Sequence, residues 1–145
     1  MNSDPSSPSI SPEQLLSRIR VVLCRPSHPG NIGAAARAMK TMGLSRLYLV
    51  TPKQFPDPEA DTQATGAVDV LAAAKVCASL DEALAGTVFA IGMSARQRDL
   101  GPTPRQAREA IADVLAEANR GEVALVFGNE TVGLSNEEVQ RCHEA

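Results

Sequence analysis

A chain of 145 residues with 43% hydrophobic content is one domain's worth of sequence, long enough to bury a single core. Only 3% of the residues are aromatic and Trp is absent, so Ala, Val, Leu and Ile must fill that core, as suits Val- and Ile-rich strands under Ala- and Leu-rich helices. The net charge is -3, no apolar run is long enough to cross a bilayer, and the three cysteines (Cys24, Cys77, Cys142) form no C-x-x-C pair; the composition argues for a soluble cytoplasmic protein and against a membrane span, a disulfide framework or a zinc site.

Met1 to Pro8 is polar and Pro/Ser-rich and reads as a tail, after which Ser11-Pro12-Glu13-Gln14 supplies an N-cap, a Pro at the first helical position and a Gln three residues on. This predicts a short leading helix through Leu15 and Leu16, so that residues 1–17 form a tail and helix ahead of one domain over 18–145. Ile19 to Leu23 is a nearly continuous apolar run of strand type, Arg46 to Val50 is a second, and a helix from about Asn31 to Gly43 lies between them. On that helix Ile32, Ala35, Ala36 and Met39 make a narrow buried stripe, with Gly33, Arg37, Lys40 and Thr41 on the opposite side. A strand that ends in a Gly-containing turn at a helix N-terminus is a natural anion site. Taken bare, Gly30-Asn31-Ile32-Gly33 serves equally as a helix-start turn with no ligand, and Arg37 as a surface charge.

Further along, Lys75 to Cys77 predicts a short strand, Ser79-Leu80-Asp81-Glu82 a capping box, and Asp81 to Ala85 a short helix. Val88 to Met93 is the next buried strand, and it runs into the small residues of Gly92-Met93-Ser94-Ala95 before Arg96 and Arg98. Thr103-Pro104 opens a long helix to about Asn119, closed by Arg120-Gly121 with the Gly in a left-handed conformation. Val123 to Phe127 is the last strand. The segment after it, Gly128-Asn129-Glu130-Thr131-Val132-Gly133-Leu134, sets one carboxylate between two glycines, a pattern for close backbone approach to a ligand. Glu130 could instead cap the helix that Ser135-Asn136-Glu137-Glu138 starts. Short apolar strands alternating with helices predict an α/β fold, a parallel sheet covered by helices on both faces.

Charge adds one expectation. Residues 1–53 carry seven bases against two acids, and the remainder seven bases against fifteen acids. Such asymmetry permits a basic, RNA-binding face on an acidic protein. Cys142-His143 lacks a second pair of ligands, so no metal is expected there.

Three segments carry a resemblance: Asn31-x-Gly33 followed by Arg37 within Ala36-Arg37-Ala38-Met39-Lys40-Thr41-Met42-Gly43-Leu44; Met93-Ser94-Ala95 after a strand; and Phe127-Gly128-x-Glu130-x-x-Gly133-Leu134. In this order they resemble the motifs of SPOUT-class, TrmH-like RNA 2'-O-methyltransferases, closest to the TrmJ subgroup. The resemblance implies a SPOUT α/β-knot fold whose C-terminal segment is threaded into a trefoil knot, S-adenosylmethionine as cofactor, no metal, and a homodimer acting on tRNA. It implies a ribose of cytidine or uridine at anticodon-loop position 32 as target. By position it makes Arg37, Asn31 and Glu130 catalytic, and Met93, Ser94, Ala95, Phe127, Gly128, Gly133 and Leu134 cofactor-binding; Lys40 and His28 then become substrate-binding. It also implies a third, Asn-Leu-rich motif beyond the helix begun at Ser135, which is missing from a sequence that stops at Ala145. The fragment as given is therefore expected to bind cofactor poorly, the alternative being a catalytically silent RNA-binding or dimerisation module.

Overall fold

The computed structural model describes residues 10–93 and 104–143. They form a five-stranded, all-parallel sheet of β1 (Ile19–Cys24), β2 (Arg46–Val50), β3 (Lys75–Cys77), β4 (Thr87–Met93) and β5 (Glu122–Phe127), in the order β3-β2-β1-β5-β4. The order explains where a site belongs. From β1 the chain winds outward through β2 to β3, crosses to the opposite edge for β4, and then inserts β5 between β4 and β1. The direction of winding reverses between β1 and β5, and a crevice at the carboxyl ends of such a strand pair is where open α/β sheets bind ligands. The segment after β1 and the segment after β5 are the first and last motifs of the sequence.

Both faces of the sheet are buried, which is why the strands read as near-continuous apolar runs rather than alternating ones. Ile19, Val21, Leu47, Leu49, Ile91, Val123 and Leu125 point to one face. Val22, Cys24, Tyr48, Val50, Ala90, Ala124 and Val126 point to the other. On the first face lie α2 (Pro29–Met42) and α6 (Pro104–Glu117), with α3 (Pro58–Gln63) and α4 (Val68–Ala72) packed beside α2. On the second lies α5 (Leu80–Leu84), with Leu134 and Cys142, at either end of α7 (Asn136–Gln140), packed against the same cluster. The leading helix, α1 (Pro12–Leu16), has a complete Ser11/Gln14 capping box and lays Leu15 and Leu16 on the first cluster.

Helix α2 decides the geometry of the site, and it departs from expectation in two ways. It starts two residues early, with Pro29 at the first helical position after His28, and ends where expected at Gly43, whose φ of 82° only a residue without Cβ adopts easily. Ile32, Ala36 and Met39 are buried on the sheet and Ala35 is partly so. Gly33, however, is buried rather than facing outward: a Cβ there would lie 2.2 Å from the carbonyl oxygen of Ala60. The reason is α3, which crosses that flank of α2 so closely that only glycine fits.

Neither α3 nor α4 was expected. Six and five residues are too few to show a helical period, although Asp57-Pro58, an N-cap followed by a Pro at the first helical position, is a start signal.

Two smaller corrections follow. Gly121 is not left-handed; it lies just before β5, where a Cβ would meet the Val88 side chain at 3.0 Å. The Ser79 cap is half a capping box, since Ser79 Oγ accepts the Glu82 N–H but the Glu82 carboxylate turns to the N–H of Ala78. The N-cap expected at Thr103 lies outside the described residues.

Candidate active site

At the carboxyl edge of the sheet two neighbouring strands end alike. Arg25 donates its N–H to Val50 O at 2.7 Å and Thr51 donates to Cys77 O at 2.9 Å, and both residues then turn over in left-handed conformations with φ of 52° and 42°. The chain leaving β1 passes through Ser27 and His28 to α2. The chain leaving β5 forms a tight loop, because Asn129 and Gly133 exchange N–H···O bonds of 3.1 and 2.8 Å while the Asn129 side-chain oxygen accepts the N–H groups of Thr131 and Val132. This loop already requires its glycines. Gly133 has φ 76°, and a Cβ on Gly128 would lie 2.1 Å from the carbonyl carbon of Gly133.

The two loops are joined by Glu130. Its carboxylate accepts the N–H of Ser27 at 2.9 Å, the N–H of His28 at 3.0 Å and the side-chain amide of Asn31 at 3.3 Å. Glu130 therefore does not cap the following helix; Ser135 and Glu138 do that between themselves. Burial pushes the Glu130 carboxyl up, but the Ser27 and His28 N–H groups and the Asn31 amide together outweigh it and hold it below the ordinary carboxylate range. It is ionised at neutral pH. Among the described residues no cation pairs with it. The result is a fixed negative charge at the switch point, held among the described residues by neutral donors and retaining acceptor capacity for a ligand.

Three further residues build this junction and were not singled out from the sequence. The amide of Asn129 donates to Arg25 O at 2.8 Å and to Ser27 Oγ at 2.9 Å. Arg25 forms a bidentate pair with Glu138 and also donates to Gly133 O. The hydrogen bond from Arg25 holds the Glu138 carboxyl below the ordinary range against the opposing effect of burial. The sequence marked Glu138 as part of a helix start and Asn129 only as a member of its motif string, and nothing in it joined them to Arg25, since the partners lie about a hundred residues apart.

The other expected site residues are dispersed. Arg37 lies on the exposed side of α2, and among the described residues no carboxylate pairs with it. Lys40, also exposed, is bound to Asp69 of α4 at 2.7 Å. His28 precedes α2 with its side chain exposed and making no cap bond. Met93 and Phe127 are register partners at the ends of β4 and β5 and line an apolar groove of about 260 Å³ together with Val21, Leu23, Met39 and Met42. Leu134 packs on the opposite face of the sheet. Ser94 and Ala95 lie outside the described residues.

The surplus of bases before residue 54 is largely neutralised within the fold. Arg20 and Arg46 share Glu122, Arg25 takes Glu138 and Lys40 takes Asp69, so acids from beyond residue 53 answer bases from before it. Arg18 binds the carbonyls at the end of α6. Among the described residues Arg37 and Lys53 are exposed and take no carboxylate, so the basic surface that the asymmetry permits is reduced to these.

A family model described as the SpoU rRNA Methylase family matches residues 18–145, and with them both loops of the junction. The chain belongs to that family. Among curated proteins of this kind, it is 55% identical over 130 residues to the tRNA (cytidine/uridine/adenosine-2'-O-)-methyltransferase TrmJ of Pseudomonas aeruginosa, covering 88% of this chain and 50% of that protein. Among solved SpoU-type structures it resembles a probable methyltransferase from Bordetella pertussis, with TM-score 0.77 and 44% identity over 90% of this chain and 81% of the other. It also resembles TrmJ from Z. mobilis, with TM-score 0.72 and 35% identity over 86% of this chain and 55% of the other. The chain spans about half the length of the curated TrmJ relatives it matches. The α/β methyltransferase fold and the family read from three short motifs therefore both hold. Among the described residues no helix is long and apolar enough to cross a membrane, and no three His, Cys, Asp or Glu side chains gather as metal ligands.

Proposed function

We propose that this SpoU-family chain is the catalytic part of an S-adenosylmethionine-dependent tRNA 2'-O-methyltransferase, working in the cytoplasm as a homodimer on cytidine or uridine at anticodon-loop position 32. The observation that carries the reading is the junction itself: Glu130, from the loop after β5, grips Ser27, His28 and Asn31 of the segment after β1 at the point where the sheet reverses its winding. Residues 18–145 are taken as the methyltransferase domain and 1–17 as a preceding tail and helix. The apolar groove beside α2, with Met42 48% exposed at its rim, supports a self-association surface.

The residues present fit the cofactor. Strands β4 and β5 end side by side at Met93 and Phe127, the next backbone on β5 is that of Gly128, and the Glu130 charge, which no cation among the described residues answers, favours rather than opposes a cationic ligand nearby. S-adenosylmethionine, when bound, supplies an electrophilic methyl group on a sulfonium. A ribose hydroxyl is a very weak acid, so the chain's own residues would have to orient it toward that methyl group and give its proton a place to go. Arg37 would hold a substrate phosphate against the hydroxyl, so that a phosphate oxygen takes the proton and passes it to solvent, while Asn31 and Glu130 hold the turn that shapes the seat. Exposed His28 and Lys40 would contact substrate, Lys40 only by giving up Asp69.

Single-turnover transfer from S-adenosylmethionine to a tRNA transcript by the full-length protein tests this. A 2'-O-methylated pyrimidine in the anticodon loop is expected; base methylation or no transfer overturns the reading. Arg37→Lys and Arg37→Ala should lower the rate by about 100-fold or more, because an ammonium cannot reproduce a planar fork. Both should melt within about 0.5 kcal/mol of wild type, as exposed substitutions do. Near-normal turnover by folded Arg37→Ala would remove Arg37 from the catalytic residues.

A further inference from the structure

Arg25 grips both ends of the loop that carries Glu130, and nothing in the chemistry above uses it. It is the first residue after β1 and is held at φ 52°, a conformation that costs a residue with a side chain and that glycine adopts freely. From that position Nε and Nη2 bind the two oxygens of Glu138 at 2.8 and 3.0 Å, and Nη2 also donates to the carbonyl of Gly133 at 3.1 Å. Its own carbonyl accepts the amide of Asn129 at 2.8 Å. Glu138 in turn accepts the N–H of Ser135 at 2.7 Å. One residue thus holds the start of the loop through its backbone, and the end of the loop and the entry to α7 through its side chain. A guanidinium can serve a carboxylate and a carbonyl at once; an ammonium on a flexible stem does so poorly.

We infer that Arg25 is a positioning residue, whose bridge from Glu138 to the Gly133 carbonyl holds the 128–134 loop in the shape that receives the cofactor and presents Glu130. The inference rests on the proposed function, since it takes this loop to be the S-adenosylmethionine loop. The backbone geometry supplies an unusually clean variant. Arg25→Gly removes the guanidinium while relieving the left-handed backbone, so loss of the bridge is not confounded with added strain.

The test is calorimetric binding of S-adenosylhomocysteine to full-length wild type, Arg25→Gly, Arg25→Lys and Glu138→Gln, with melting temperatures and steady-state kinetics on tRNA. Arg25→Gly should raise Kd about tenfold or more, as loosening of a ligand loop does. Arg25→Lys should fall between it and wild type, and KM for S-adenosylmethionine should rise by a larger factor than kcat falls. If Arg25 is only a brace, melting drops but folded protein binds within twofold of wild type, and the inference is overturned. Should Arg25→Gly not fold, Arg25→Lys and Glu138→Gln are judged by the same twofold criterion. Wild type that neither binds S-adenosylhomocysteine nor methylates tRNA overturns the proposed function and this inference with it; binding by wild type matched by Arg25→Gly overturns this inference alone.

Discussion

Two glutamates eight residues apart stand at opposite ends of strand β5, and they are held by opposite means. Glu122, the first residue of the strand, takes both Arg20 and Arg46, at 2.7 and 3.0 Å. Arg20 itself is 7% exposed, donates to Ala83 O and lies 4.9 Å from the centroid of the Tyr48 ring. Glu130, beyond the far end, is bound by two backbone N–H groups and an amide. Burial pushes both carboxyls up and their partners more than restore them, so both are held below the ordinary range. The difference lies in what remains. At Glu122 the charge is consumed in closing the amino edge of the sheet around a buried guanidinium, whereas at Glu130 the charge is fixed in place but not neutralised by any cation among the described residues. An acid held rigidly by neutral donors can still act on a ligand; one sandwiched between two arginines is already answered.

That contrast can be broken by experiment. The largest effect is expected at Glu130. Glu130→Gln should lower methyl transfer by something like 100-fold, a loss of the size seen when a preorganised polar group is removed from a site, at a stability cost of about 1 kcal/mol. A drop in activity no greater than the drop in folded fraction would make Glu130 as structural as Glu122. Next comes Glu122→Gln, which strips a buried arginine of its counter-charge. Because a third of the Glu122 side chain is exposed and Arg20 keeps the Ala83 carbonyl, denaturant titration should show a loss of about 2 kcal/mol rather than the 3–5 of a fully buried pair.

The same variant should alter the acid response. A carboxyl with a depressed folded-state pKa contributes stability that is complete above its unfolded pKa and is lost as pH falls through the folded value. Wild-type melting should therefore drop on acidification below the ordinary carboxylate range, and Glu122→Gln should flatten part of that drop; an unchanged slope would mean the arginine pair contributes nothing to it. The smallest effect belongs to Lys40→Ala. Its solvent-exposed pair with Asp69 should leave the melting temperature essentially unchanged when removed, and the salt slope of tRNA binding should fall by about one unit only if Lys40 leaves Asp69 to meet a phosphate.

The amino-acid sequence by itself determined the parallel α/β class, the strands within a residue or so at each end, the seat of α2 on the sheet and the family. These follow from local signals: apolar runs, caps, a helical stripe and motif strings. It also marked Asn31 and Glu130 separately, since each sits in such a string. What only the tertiary structure decided is what depends on distant segments meeting. No spacing rule brings Glu130 to Ser27 or Arg25 to Glu138 across about a hundred residues; the insertion of β5 beside β1 does that. Helix periodicity places Gly33 outward because it knows nothing of α3, whose six residues show no period of their own and whose one signal, Asp57-Pro58, says nothing of where the helix packs. The charge asymmetry overstates a basic surface for the same reason: linear counting records how many bases precede residue 54, but ion pairing happens in space, and the fold turns four of those seven bases onto acids from later in the chain.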